Sequence, residues 1–168
     1  MAKMIGIILL LAGFCGLSVE KVREEKEEIK LLLDIKEFSV FLLKEIEYSH
    51  IPIPDICKEY KTRCNGKIRA FLDKVCETYE SGGGKTFYDV WENELDDYSG
   101  SSKEKKWLYI MGKEFGFGNI GMQISAMENY TEAIQKEIAQ KEKKFQDNKK
   151  LILYFGVMSG LLLSIILL

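Results

Sequence analysis

The chain has 168 residues, with 24 lysines and arginines against 26 aspartates and glutamates, and a formal net charge of −2. This balance provides no basic field to attract nucleic acid, so no nucleic-acid partner is expected. The single histidine, His50, excludes multi-histidine metal sites. Cys57, Cys64 and Cys76 are an odd set that favours buried free thiols over a disulfide framework or a zinc site. No cofactor is predicted.

Both ends of the chain are uncharged. Met4 to Val19 contains no charged residue, and neither does Leu151 to Leu168. An α-helix rises ~1.5 Å per residue, so the C-terminal run would reach ~27 Å, close to the ~30 Å of a hydrocarbon core. We therefore predict transmembrane helices at residues 1–19 and 151–168, on either side of a soluble domain at residues 20–150.

The first segment has an alternative interpretation as a cleaved signal peptide. Lys3 would be the basic region, Met4 to Leu11 the apolar region, and Gly16-x-Ser18 the cleavage site. The placement of lysines favours a membrane span instead, because basic residues next to spans stay cytoplasmic. The domain side of the second span carries Lys136, Lys141, Lys143, Lys144, Lys149 and Lys150. The domain is therefore expected in the cytoplasm.

The second span contains Gly156 and Gly160, one helical turn apart. Two glycines at this spacing let another helix backbone approach closely. The sequence leaves open whether that helix belongs to the same chain or to another copy in a homo-oligomer.

Between the ends, apolar residues recur with helical spacing. A first helix is predicted from about Glu20 to Tyr48, and Pro52 ends it in a turn. Short helices follow from about Asp55 to Arg63 and up to about Glu80, before a flexible link at residues 82–84.

Three further helices begin with residues that can cap a helix. Thr86, Ser102 and Asn119 each offer a side-chain oxygen to an unpaired backbone N–H. The second and third of these helices would be preceded by loops at residues 99–102 and up to Gly118. Trp91 and Trp107 are predicted core anchors, with exposed partner contacts as the alternative.

The last helix carries a heptad seam, which requires a partner helix. We predict that it pairs antiparallel with the first long helix. The fold class is then all-α, a bundle of about six helices between two terminal transmembrane helices. The seam consists of Ile120, Ile124, Met127, Ile134, Ile138 and Phe145, with Thr131 and Lys141 as weak positions.

A glycine-rich run before Thr86 is the one candidate for nucleotide chemistry. Gly82-Gly83-Gly84-Lys85-Thr86 resembles the end of a phosphate-binding loop. The full pattern needs a glycine where Tyr79 stands and a strand where a helix is predicted. A loop between two helices is the favoured interpretation. No group of residues predicts a catalytic site, and we expect the chain not to be an enzyme.

Two short stretches share their spacing with a known family. Trp91 and Leu95 stand four positions apart, as in that family's central tryptophan helix. Near the end of the first helix, Glu45-Ile46-Glu47-Tyr48 is followed after three residues by Pro52-Ile53, which resembles a Glu-Ile-x-Tyr-x3-Pro-Leu stretch.

A third stretch, Phe115-Gly116-x-Gly118-Asn119-x3-Gln123, resembles Leu-Gly-x-Ser-Asp-x3-Gln in the same family. Asn119 replaces aspartate but keeps a side chain that can cap a helix. Together with the length and the two uncharged ends, these stretches make the sequence resemble stage III sporulation protein AB of endospore-forming bacteria.

The resemblance implies a component of the channel complex that links mother cell and forespore. The family's soluble domain is similar to the cytoplasmic domain of the platform protein of type II secretion. The resemblance also implies that the protein resides in the mother-cell membrane that faces the forespore. The implied partners are a stage III sporulation protein AA-like ATPase, other channel-complex proteins and the lipid bilayer.

Seven positions are the candidate interaction or family-motif residues. They either contact the ATPase or hold the fold, and we favour the fold, with Tyr48 and Phe115 in the core and Gly116 required by the backbone. The positions are Tyr48, Pro52, Trp91, Phe115, Gly116, Asn119 and Gln123.

The predicted function is a non-enzymatic membrane platform or adaptor needed for sporulation. The alternatives are a membrane-tethered nucleotide-binding enzyme and an extracytoplasmic structural component.

Overall fold

The computed structural model describes residues 2–115 and 119–167. Over these residues the chain forms six α-helices and no strand, which confirms the all-α class. The helices are α1 (Ala2–Lys44), α2 (Ile53–Lys61), α3 (Gly66–Glu80), α4 (Phe87–Asp96), α5 (Ser102–Glu114) and α6 (Ile120–Leu167).

The chain divides into two compact units. Residues 1–29 and 139–168 form the terminal unit, and residues 30–138 form the central unit. The helices α1 and α6 contribute to both units, whereas α2 to α5 lie entirely in the central unit.

The first long helix ends in an irregular turn. A five-residue π-helical turn, Glu45–Ser49, follows α1, and His50 then takes a left-handed conformation with φ 53°. Pro52 is the N-cap residue of α2. Proline suits the start of a helix because it lacks the N–H that would be unpaired there. The predicted turn at this proline is confirmed.

Two of the predicted caps are confirmed and one is displaced by a residue. Thr86 Oγ1 accepts from the Asp89 N–H at 3.2 Å, and Asn119 Oδ1 accepts from the Gly121 N–H at 2.8 Å. The cap of α5 is Ser101 and not the predicted Ser102. The reason is a reciprocal capping box, because Glu104 stands three residues after Ser101 and its carboxylate accepts from the Ser101 N–H at 3.1 Å.

The core of the central unit is built around Trp91, whose side chain is fully buried. Its ring lies edge-on to Phe71 at 4.8 Å and to Phe115 at 5.0 Å between centroids. The indole Nε1 donates to the Leu108 carbonyl at 2.9 Å, so the polar atom of the buried ring is satisfied. Trp91 is therefore a core anchor, as predicted, whereas Trp107 is only partly buried.

The three cysteines of the central unit are free thiols. Cys57 and Cys76 are buried and Cys64 is partly buried. Burial raises the pKa of the Cys57 thiol well above its ordinary value, so this thiol stays protonated and unreactive at neutral pH. The prediction of buried free thiols is confirmed for two of the three.

Helices α1 and α6 meet in the central unit through apolar side chains and one polar contact. Met127, Ile134 and Ile138 of the predicted seam are buried, but Ile120 is 48 % exposed, so the seam does not extend to the start of α6. Ser39 is fully buried and its hydroxyl lies 3.1 Å from that of Thr131. The weak seam position at Thr131 thus forms a hydrogen bond to a buried polar partner, which offsets the cost of burying both groups.

In the terminal unit, α1 and α6 run antiparallel, as predicted. Lys141 Nζ lies 2.6 Å from the Glu28 carboxylate across the pair, with both side chains largely covered. Lys21 and Leu151 share a groove that continues to Phe155. Residue numbers therefore decrease along α1 in the direction in which they increase along α6.

The uncharged ends form the first part of α1 and the last part of α6. Within residues 2–115 and 119–167, no helix combines the length and apolar character needed to cross a membrane. The two glycines of the predicted packing motif, Gly156 and Gly160, are helical, and their surroundings lie outside what the structure describes.

Three buried tyrosines should make the free energy of unfolding depend on alkaline pH. Burial raises the pKa of Tyr60, Tyr98 and Tyr130, and the Glu104 carboxylate raises the pKa of Tyr98 further. Above the ordinary tyrosine pKa of about 10, the unfolded chain releases protons that the folded chain retains. The free energy of unfolding should therefore fall by ~1.4 kcal/mol per pH unit for each tyrosine.

Urea titrations at a series of pH values above that point measure this slope. Tyr98→Phe should make the fall in the free energy of unfolding per pH unit smaller by the contribution of one tyrosine. A slope that does not change in Tyr98→Phe would contradict the assignment to this side chain.

Candidate functional site

A groove of about 680 Å³ lies in the central unit, at the end of α1 and beside the starts of α2, α4 and α6. We name it the turn groove. None of its described lining residues carries a carboxylate, an ammonium or a guanidinium group, and most are apolar. Its walls include Ile51, Pro52, Ile53, Phe87, Tyr88, Phe115, Ile120 and Gln123.

Three candidate residues from separate stretches of the chain meet in the turn groove. Pro52 comes from the turn before α2, Phe115 from the end of α5, and Gln123 from the first turns of α6. The predicted family stretches around Tyr48–Ile53 and Phe115–Gln123 are therefore neighbours in space. The two stretches lie far apart in the sequence, and their local spacing carries no signal of this proximity.

Phe115 links the turn groove to the core. Its ring lies 5.0 Å from Trp91 and 6.0 Å from Phe87, and the side chain is partly buried. The predicted core role of Phe115 is therefore confirmed in part, since one side of the residue packs inward and another lines the groove.

Tyr48 was predicted in the core, and this is wrong. Its side chain is 77 % exposed, while Ile46 in the same π-helical turn is buried. Side chains two positions apart in a helical turn point to different sides of the helix. Because Ile46 points into the core, Tyr48 points outward. Tyr48 does not line the turn groove among the residues described there.

The remaining candidate positions have other placements. Trp91 lies in the core, and the Asn119 side chain caps α6. Gly116 and Gly118 lie outside the described residues, so the backbone requirement predicted for Gly116 is untested.

The glycine-rich run forms a connection between two helices. The helix α3 ends at Glu80, with Ser81 as its C-cap residue directly before the run, whereas a phosphate-binding loop would follow a strand. Gly82 and Gly84 take left-handed conformations with φ 71° and 68°. The Thr86 hydroxyl is engaged by the Asp89 carboxylate at 2.7 Å, in the capping box of α4.

One cluster beside the turn groove was missed by sequence analysis. Lys113 Nζ lies 4.5 Å from the centre of the Tyr109 ring, and the hydroxyls of Tyr109 and Tyr88 interact. Desolvation, followed by the negative charge of Glu92, raises the pKa of Tyr88. The spacing of Tyr109 and Lys113 by four residues was visible in the sequence, but Tyr88 belongs to another helix and gave no local signal.

Apolar and aromatic side chains dominate the described lining of the turn groove. Its polar side-chain groups come from His50, Tyr79, Thr86, Tyr88 and Gln123. Among the described residues, no three histidine, cysteine, aspartate or glutamate side chains are placed to hold a metal ion.

Comparison with known proteins identifies the family. No curated protein and no solved structure matches the chain. The profile of the family described as stage III sporulation protein AB matches residues 3–168, which is nearly the entire sequence. The chain therefore belongs to the stage III sporulation protein AB family, and its role is in sporulation.

Proposed function

We propose that the chain is a non-enzymatic membrane platform of the sporulation channel complex, and that its turn groove docks a cytoplasmic secretion-type ATPase. The observation that supports this proposal most directly is the meeting of the two family stretches in one uncharged groove. Two family stretches that lie far apart in the sequence line the same groove. Contact with one shared partner explains this better than separate local roles in the fold.

The attachment to the mother-cell membrane rests on both ends of the chain. Met4–Val19 and Leu151–Leu168 carry no charge. Several apolar side chains there are exposed in the isolated chain, including Leu17 at 71 %, Phe155 at 65 % and Ile165 at 75 %. Exposed apolar surface of this extent is unfavourable in water and suits a lipid environment.

The proposed cytoplasmic side follows from the lysines. Six lysines between Lys136 and Lys150 precede the C-terminal run, and residues 151–168 of the run itself carry no charge. Basic residues that flank a membrane segment stay on the cytoplasmic side. A cytoplasmic ATPase similar to stage III sporulation protein AA could then reach the central unit.

The chemistry of the turn groove suits a protein partner. Partner anchors are commonly aromatic or apolar side chains that enter a preformed pocket, with a few polar groups that set orientation. In this groove Phe87, Phe115 and Ile120 would receive such an anchor, and Gln123 and Tyr88 would orient it. The alternative of a nucleotide-binding enzyme is less well supported, because the glycine-rich loop follows a helix and its Thr86 hydroxyl is already engaged.

The test is a charge placed in the groove. Ile120 is 48 % exposed and is the first residue of α6. Aspartate is favourable at the start of a helix, so Ile120→Asp should leave α6 intact while placing a charge against the partner. We expect its affinity for the purified ATPase to fall roughly tenfold or more, measured by biolayer interferometry on the full chain in nanodiscs.

Met122→Asp is the matched control. Met122 is 58 % exposed, lies in the same helical turn and does not line the described groove. The Met122→Asp variant should bind the ATPase with the affinity of the unmodified chain. Equal loss in both variants would contradict the groove as the contact, and no binding by the unmodified chain would contradict coupling to the ATPase.

A further inference from the structure

One pair of hydroxyl groups joins α1 and α6 inside the central unit. Ser39 of α1 is fully buried, and its Oγ lies 3.1 Å from Oγ1 of the partly buried Thr131 of α6. Within the described part of the chain, only Ser39 and Glu104 are polar or charged and buried. Buried polar side chains are rare, so a specific role for this pair is expected.

The two hydroxyls have more hydrogen-bond contacts than protons. Ser39 Oγ lies 2.7 Å from the Lys36 carbonyl, and Thr131 Oγ1 lies 2.8 Å from the Met127 carbonyl. Each hydroxyl carries one proton, so the pair can form only two of these three bonds at one time. Each hydroxyl can thus donate within its own helix without help from the other helix. The bond between the helices should therefore add little to the free energy of unfolding.

The pair interrupts two apolar seams that face each other. Ser39 and Thr131 each occupy a position where the steps of three and four residues along the helix predict an apolar side chain. The buried apolar members of the seams are Leu32, Ile35 and Leu42 of α1 and Met127, Ile134 and Ile138 of α6. Because the pattern repeats every seven residues, the apolar members alone would also match after a shift of seven residues.

Such a shift would separate the two hydroxyls. In an antiparallel pair, Ser39 would then face Ile124 or Ile138. Thr131 would face Leu32 or Ile46. All four of these residues are apolar, so neither hydroxyl would meet a polar side chain. The hydroxyl pair therefore distinguishes the observed register from the neighbouring ones.

We propose that the Ser39–Thr131 pair is a register lock, which fixes how α6 lies along α1 and contributes little to stability. A single polar residue in an apolar seam fixes helix register in this way in coiled coils. The turn groove depends on this register, because Ile120 and Gln123 of α6 line it together with Ile46. A shift of seven residues, or ~10 Å along the helix, would take the α6 wall away from the groove.

The test measures the distance between the two helices by pulsed electron spin resonance. Spin labels are attached to genetically encoded amino acids at positions 30 and 128, so the native cysteines remain. Lys30 and Glu128 are exposed and lie in the central unit. We expect one distance in the unmodified full chain in nanodiscs. Combined Ser39→Ala and Thr131→Val should add a second distance, displaced by up to ~10 Å, at an unchanged or higher urea midpoint.

Two variants of the same seam are the matched controls. Thr131→Ser keeps the hydroxyl and should show one distance. Ile134→Val removes a buried methyl group without a polar change, so it should lower the urea midpoint and still show one distance. One unchanged distance in the double variant would overturn the lock, because the rest of the core would then fix the register. Failure of the double variant to fold would also overturn it, because the pair would then be a stabilising contact.

Discussion

Replacing Trp91 by alanine should lower the free energy of unfolding by ~3–5 kcal/mol, the range for deletion of a large buried aromatic ring. The ring is fully buried and lies against Phe71 and Phe115. Its loss leaves a cavity between these neighbours and removes the donor to the Leu108 carbonyl. As an interior residue of α5, Leu108 keeps the intrahelical bond to its carbonyl, but the loss of the additional bond from the indole adds to the cost of the cavity.

Urea denaturation of the chain in detergent, followed by circular dichroism, measures this change. Trp107→Ala is the matched control, because it removes the same side chain from a partly buried position. The control should lose clearly less stability. If both variants unfold at the same urea concentration, Trp91 is not the centre of the core.

Gly112→Ala should also destabilise the central unit, by ~1–3 kcal/mol, because it overpacks the core. A Cβ at this position would lie 2.5 Å from Cδ1 and 2.7 Å from Nε1 of Trp91. The indole is held by its hydrogen bond to Leu108 and cannot move away without losing it. Alanine gains about 1 kcal/mol in helix propensity over glycine, which offsets only part of the clash.

Gly83→Ala provides the control, since nothing lies within 4 Å of a Cβ at that position. It should leave the free energy of unfolding almost unchanged. Combining Gly112→Ala with Trp91→Phe should cost less than the sum of the single changes, because the smaller ring makes room for the methyl group. Strict additivity in this double-mutant cycle would show that the two positions do not touch.

Local features of the helices were predictable from the sequence. The caps at Thr86 and Asn119 and the turn at Pro52 depend on side chains that bond to backbone groups a few residues away. The displaced cap at Ser101 is equally local, because Glu104 at the third position decides between two adjacent serines. A capping-box search would have found it.

The burial of individual residues was less predictable. Tyr48 and Phe115 were both expected in the core, yet Tyr48 is exposed and Phe115 is shared between core and groove. The π-helical turn after Lys44 changes the helical phase, so a periodicity of 3.6 residues misplaces the residues beyond it. The exposure of Ile120 was also not predictable, because the heptad pattern does not show where the partner helix ends.

The sequence by itself determined the all-α class, the order of the helices, the antiparallel pairing of the two long ones and the family. These properties follow from periodicity, capping side chains and local spacing. Only the tertiary structure decided that Pro52, Phe115 and Gln123 share one groove, and that Gly112 is held against Trp91. Such proximities arise from packing between helices distant in the chain, for which neighbouring residues carry no signal.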